Sequence, residues 1–433
     1  MAAGGDGNEA IRALAGDSAG TRPARGLQLG QAAPSGEEPP GGVGGTSGGL
    51  ATLVIEGKTV SFVPRGTEVL AFELEGARPL ATAGVRVQSA GLSFEASACA
   101  ADPVALKVVC VGYASSKVAV IHVTPSPFGL RMEEFDLGLT DDAYAYFSGG
   151  HCLNCGVLTD PGDDRFIVSS GDGYRVLDYG GNLLASYLDP RYVTENFGYD
   201  HRENRILSPE YERPDPKFWV VDLDDRRAYR WTTAMTDLPD VPSDFLADAA
   251  AIDIETGLAV IGHEWSPGLL FVDLKNASWD PGGTFDADGV FLPLEGVFTN
   301  MNWLTTGLAV ESAHHVAFLV EEFWNAFGAV RLPAEPGLPA APDYTSAAFG
   351  GVASGVPSAC QLWTSVGDPH GLAVFTTPAG GKPRGLSVNA AKTCLAVVDL
   401  DALLKAPRVP GTHRVDPDYD LVSEGVVRYF ELP

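Results

Sequence analysis

The chain has 433 residues, 45% of them apolar and 20% charged, enough to bury one large core or two ordinary ones. Its 56 acidic and 29 basic residues leave a formal net charge of −27, a field that repels a phosphate backbone and argues against nucleic acid as a partner. No apolar run approaches the roughly 18–20 residues that cross a bilayer, so no transmembrane segment is expected.

Residues 1–49 are rich in Gly, Ala, Pro and Ser and end in GEEPPGGVGGTSGG. They offer too little apolar surface to offset the entropy of ordering. The expectation is a disordered tail or linker at 1–49 and an ordered domain at 50–433. The glycines are not a dinucleotide fingerprint, because no strand pattern precedes GGVGGTSGG and no helix pattern follows it. No signal peptide is visible either: a basic stretch followed by a continuous apolar one is missing.

From Leu50 the chain reads as short apolar runs separated by turn residues, and no long helical pattern with caps interrupts them. ATLVIEGKTVSFVP predicts a hairpin around Glu56-Gly57-Lys58. A run of the form apolar-apolar-polar-Leu or Val then recurs, at Glu73, His122, Asp178, Asp222, Asp273, Arg331 and Asp399, with a mean spacing of about 54 residues. That period predicts an all-β fold, a β-propeller of seven four-stranded blades. A second marker, a polar turn feeding an apolar strand, precedes many of these runs: DPGDDRFIVSS, DHRENRILSP, DIETGLAVIG, NWLTTGLAVES and DPHGLAVFTT. The terminal GVVRYFELP echoes the early EVLAFELEG. It predicts a last strand that pairs with the 51–63 hairpin and closes the ring, so that deleting 425–433 destabilises the whole domain.

The Gly-Leu-Ala-Val strands followed by Val-Val-Asp-Leu strands resemble the seven-bladed propellers of the YVTN-repeat and lactonase-like superfamily. The resemblance covers roughly residues 50–433. The strict Tyr-Val-Thr-Asn tetrapeptide is absent, and no catalytic pattern of that superfamily carries over residue by residue. What the resemblance implies is the fold; the superfamily spans binding proteins, lactone hydrolases and metal or redox enzymes.

Six cysteines fall into local pairs: Cys99 with Cys110, Cys152 with Cys155, and Cys360 with Cys394. Disulfides in an extracytoplasmic compartment, whether periplasm, cell surface or medium, are the favoured reading; six reduced, buried thiols are the alternative. In GGHCLNCG the Cys-x-x-Cys is a small disulfide, half of a metal site or a redox pair. Haem attachment fails because Gly156, not His, follows the second cysteine. His151, His201, His263 and His370 each adjoin a turn, and equivalent positions in successive blades point to one channel. With Glu264 and Asp368 as oxygen ligands they form the candidate site for a divalent metal ion. His370 precedes its Gly-Leu-Ala-Val run and His263 follows one, which puts those two at opposite ends. His314 and His315, adjacent on an expected strand, face opposite ways and are set aside as a joint site.

FDADGVF (Asp286, Asp288) lacks the downstream glutamate of a calcium loop and reads as a solvated turn. The Gly-x-Ser-x-Gly matches at 16–20 and 45–49 fall in the Gly-rich 1–49 stretch, without the strand-turn-helix pattern of a serine elbow. Gly57-Lys58-Thr59 lacks the glycine five residues upstream that a phosphate-binding loop needs, and His-Glu-x-x-His does not occur. Trp219, Trp231, Trp265, Trp303, Trp324 and Trp363 read as packing between blades. The functional expectation is an exported binding or scaffold module for a protein or small-molecule partner. The alternative is a metal-assisted lactonase-like hydrolase or oxidase with its site in the channel.

Overall fold

The computed structural model describes residues 43–46, 49–74, 78–83, 92–139, 153–189, 196–210, 217–241, 247–263, 268–294, 307–320, 326–341, 343–350, 356–361, 363, 371–378 and 381–432. The chain divides into two units, 1–40 and 41–433, and the second is the propeller. Strand β1 is Val43–Thr46. Blade 1 is Ala51–Ile55, Lys58–Arg65, Glu68–Glu73 and Arg78–Ala83 (β2–β5). Blade 2 is Ala98–Asp102, Lys107–Val111, Lys117–Thr124 and Gly129–Asp136 (β6–β9). Blade 3 is Asn154–Asp160, Arg165–Ser170, Gly173–Asp178 and Leu183–Tyr187 (β10–β13). Blade 4 is Gly198–Asp200, Arg205–Pro209, Phe218–Asp222 and Arg227–Trp231 (β14–β17). Blade 5 is Ala247–Asp253, Leu258–His263 and Gly268–Asp273 (β18–β20), then, after a hairpin of Ser278–Asp280 and Thr284–Asp286 (β21, β22), Gly289–Pro293 (β23). Blade 6 is Gly307–Glu311, Val316–Val320, Ala326–Arg331 and Asp343–Ala348 (β24–β27). Blade 7 is Leu372–Thr376, Pro383–Val388, Cys394–Asp399 and Val427–Glu431 (β28–β31). Every blade is an antiparallel meander in chain order.

The strands read as nearly continuous apolar runs because both faces of each sheet are covered by a neighbouring blade. In β7, Val108 and Cys110 pack toward blade 1 beside Phe62 and Ala71, while Val109 and Val111 pack toward blade 3 beside Phe166 and Val168. In β19, Ala259 and Ile261 join the core shared with blade 4, and Leu258 and Val260 the core shared with blade 6. The period-two geometry of a strand thus serves two cores at once. All seven closing runs fall on the third strand of their blades. The second marker divides: GLAV at 257–260 spans the turn into a second strand, whereas GLAV at 307–310 and 371–374 leads an innermost one.

Two connections differ from expectation. The last strand, β31, pairs with β30 inside its own blade and not with the 51–63 hairpin. Blades 7 and 1 meet instead through side chains, Leu50, Val63, Leu70 and Phe72 against Phe375, Leu386, Leu395 and Leu432. The Leu50 amide donates to the Leu372 carbonyl beside them. The hairpin of β21 and β22 leaves blade 5 and lies along β17, the outer edge of blade 4, with Trp279 stacked on Phe285 at 4.9 Å. Such a cover removes an exposed sheet edge. Asp286 ends β22 and accepts from the Thr232 hydroxyl at 3.1 Å, in keeping with a turn residue. Trp219, Trp231 and Trp363 are buried in cores between blades; Trp265, Trp303 and Trp324 lie outside the described residues.

Candidate functional site: two unlike faces of the ring

Innermost strands run from one face of the ring to the other, and the second strands return. At the far end the connections are short. Residues 103–106, 161–164, 201–204, 254–257 and 312–315 are all four-residue turns, and the fourth residue of each has a left-handed backbone: Leu106, Asp164, Asn204, Gly257 and His315. Before each turn stands a buried carboxylate: Asp102, Asp160, Asp200, Asp253 or Glu311, none more than 6% exposed. Asp102 Oδ1 accepts the amides of Val104 and Ala105, both at 2.8 Å, and Asp200 Oδ1 those of Arg202 and Glu203 at 3.0 and 3.2 Å. An acid that holds its own turn in this way fixes the reversal the sheet needs.

Several of these carboxylates also reach the next blade. Asp102 Oδ2 accepts from the Tyr179 hydroxyl at 2.6 Å, and Asp160 Oδ2 from the Tyr199 hydroxyl at 2.7 Å. Asp253 Oδ2 lies 2.7 Å from His315 Nδ1, and Glu311 Oε1 accepts from the Thr376 hydroxyl at 2.6 Å. Burial, with the adjoining carboxylates, pushes both tyrosine hydroxyls well above their ordinary range, so they remain donors. These acids hold blade to blade. They are not free ligands.

Burial also raises the Asp200 carboxyl above the usual carboxylate range, against the pull of its two amide donors. The folded state therefore keeps a proton that the unfolded state, with a pKa near ~3.9, has lost. Wild-type stability falls as pH rises through that window. Asparagine keeps the acceptor oxygen and does not titrate. The urea midpoint of Asp200→Asn relative to wild type should therefore climb between pH 4 and pH 7; a flat or falling difference would rule this out.

At the other face the connections are long: 84–97, 137–153, 188–197, 232–246, 294–306 and 349–371, the shortest of ten residues. Where described, the last of these is firmly held. A helix of Ser358–Gln361 (α1) is tied to the start of β30 by the Cys360–Cys394 disulfide, with Cα atoms 5.4 Å apart. Trp363 stacks on Phe349 at 4.6 Å, and the Gly350 amide donates to the Tyr429 hydroxyl at 2.8 Å. Beside it, the turn at 389–393 carries Lys392, whose ammonium is pushed below its ordinary range by burial, with Glu95 opposing.

His263 is paired with Ala247, the first residue of an innermost strand, so its backbone lies at the long-connection face. His201 opens the turn 201–204 and is exposed at the opposite face, roughly 20 Å away along the strands. The structure does not bring these two together. His151, Cys152, Glu264, Asp368 and His370 lie outside the described residues, as does the His263 side chain. The ground for separating His263 from His370 fails, however. β19 is a second strand and β28 an innermost one, so the end of the former and the start of the latter share a face. Among the described residues no three His, Cys, Asp or Glu side chains are grouped to hold one ion.

The sequence pattern places two adjacent histidines on a strand. His314 and His315 are on a turn, not a strand, and each meets its own buried carboxylate, Glu311 and Asp253, at 2.7 Å. The signal was there: an acid five residues before a strand recurs in five blades. Two of the three expected cysteine pairs, Cys99–Cys110 and Cys360–Cys394, do follow the local pattern. Cys99 and Cys110 face each other across β6 and β7 with Cα atoms 4.1 Å apart, and Cys155 is also disulfide-bonded. Titration of the unreduced, denatured protein should find no free thiol. Reduction should cost about 4 kcal/mol for a loop of 34 residues such as that closed by Cys360 and Cys394. Six titratable thiols without reductant would overturn the pairing.

The channel itself is not open along its whole length. β1 pairs with two innermost strands, β14 of blade 4 and β24 of blade 6, and lies against β18 between them.

No protein-family model and no curated protein matches the chain. Solved structures do. Hydrazine synthase from Kuenenia stuttgartiensis superposes with a TM-score of 0.53 at 11% identity, covering 85% of this chain and 99% of the other. A functionally unknown protein from Desulfotomaculum acetoxidans gives 0.51 at 9% identity, covering 77% and 90%. A proposed 6-phosphogluconolactonase from Bacteroides uniformis gives 0.50 at 12% identity, covering 83% and 95%. Identities this low speak for the fold alone, and on that level the chain is similar to lactonase-like seven-bladed propellers.

Proposed function

We propose that this protein is an extracytoplasmic binding module whose long-connection face receives a protein or small-molecule partner. The observation that carries this reading is the asymmetry of the ring. Six long connections gather at one face, while the other is closed by four-residue turns whose acids are engaged in holding them. Variable loops on a rigid scaffold are where recognition concentrates. The two described disulfides, Cys99–Cys110 and Cys360–Cys394, support an oxidising compartment.

A photo-crosslinking amino acid placed at Ser93 or Glu95, exposed on the 84–97 connection, tests it against the same probe at Glu203 or Glu255 on the turn face. Adducts formed in extracytoplasmic extract from the first pair only are the expected result. Adducts from the second pair only would reverse the assignment of faces. The second reading, a metal-assisted hydrolase or oxidase, is favoured by the shared face of the β19 end and the β28 start. It draws on His151, His263, Glu264, Asp368 and His370 and leaves out His201. A stoichiometric transition metal in elemental analysis of the purified protein would put it ahead.

A further inference from the structure

We propose that the central channel is a binding site for an extended peptide of small residues, occupied in this chain by its own Val43–Thr46. The inner edge of each innermost strand turns toward the channel with backbone groups that have no partner inside their own blade. An edge of that kind accepts an added strand through main-chain hydrogen bonds. β1 uses two such edges at once. Gly45 and Thr46 are in antiparallel register with Tyr199 and Gly198 of β14, and Val43 and Gly44 with Glu311 and Val310 of β24. The segment thus spans from blade 4 to blade 6 across the inner strand of blade 5.

The wall is suited to a guest that is mostly backbone. Where β1 lies against β18, that strand offers the run Ala249-Ala250-Ala251. A Cβ at Gly198 would come within 3.1 Å of the Ala250 carbonyl oxygen, so β14 and β18 approach each other closely beside the guest. Small residues on both sides let the backbones approach. The guest here, VGGT, has two adjacent glycines at its centre. This site is the channel wall and not the long-connection face, so the inference stands or falls independently of the function proposed above.

The test uses the full chain and a fluorescein-labelled GGVGGTSGG peptide. A tethered strand competes at an effective concentration in the millimolar range, so the wild type should bind the free peptide at least tenfold more weakly than a chain whose own strand is displaced. Gly44→Pro with Gly45→Pro removes two amide donors and should displace it. Saturable binding to that double variant, lost when tryptophans replace the two central glycines of the peptide, is the expected result. Absence of binding to a double variant whose Val108–Val111 amides remain protected from exchange would overturn the proposal. Hydrogen exchange on the unaltered protein gives an independent reading: the amides of 43–46 should exchange at least tenfold more slowly than in the free peptide. Exchange at the free-peptide rate would overturn it even if the double variant failed to fold.

Discussion

Deletion of residues 425–433 is expected to abolish the cooperative unfolding transition of the ring. The segment supplies β31, which pairs with β30 from Cys394–Glu431 to Val398–Val427. It also supplies Val426, Val427 and Leu432, all buried, at about 2 kcal/mol each. Their sum is of the order of a whole domain's stability. Further losses follow, because Phe430 meets Phe72 of blade 1 edge-on at 5.9 Å and Tyr429 anchors Gly350. The truncation bares β30, an apolar strand, as a new edge, so aggregation should accompany unfolding. Calorimetry decides. A truncated protein that melts within about 3 °C of the full chain would show that blade 7 contributes little to closure.

Glu311→Ala should lower stability by about 3–5 kcal/mol, the cost of breaking a buried, hydrogen-bonded carboxylate arrangement. Glu311 has no exposed surface, and its two oxygens serve different blades. Oε2 accepts the His314 amide at 2.9 Å, holding the blade 6 turn, and Oε1 accepts from Thr376 at the end of the innermost strand of blade 7. Truncation leaves the amide and the hydroxyl without this acceptor. Thr376→Val should cost about 1 kcal/mol alone, and the pair should show a coupling of roughly 0.5–3 kcal/mol in a double-mutant cycle followed by urea denaturation. Strict additivity would mean that the two blades are held together elsewhere.

How much of this was legible in the sequence depends on which strand is considered. Third strands announce themselves, because an apolar run flanked by sheet on both sides ends in a polar residue at the ring's rim: Asp222 accepts the amides of Asp224 and Asp225, and Asp399 caps a helix at Leu400–Lys405 (α2) through the Ala402 amide. First and second strands carry the same apolar composition, so Gly-Leu-Ala-Val cannot tell them apart. Gly257 fills a left-handed turn position, while Gly371 merely precedes a strand. The likeness of AFELEG to YFELP misled for a related reason. AFE lies on a third strand, where Ala71 and Phe72 are fully buried, and YFE on a half-buried fourth, so the likeness is one of composition and not of pairing. The linking carboxylates went unread because their partners, such as Tyr179 for Asp102, are 77 residues away. The candidate histidines could be assigned a strand edge but not a face, since that requires knowing whether the strand leads out or back.

The placement of β1 imposes an order in time. Blades made of four consecutive strands can form as the chain leaves the ribosome or a translocon, each from contacts close in sequence. The strand at 43–46 cannot. One of its partners ends at Glu311, so more than 260 residues must be made before both edges exist. The segment that is synthesised before every blade is therefore seated after most of them, and the newborn ring passes through a stage in which its centre is vacant.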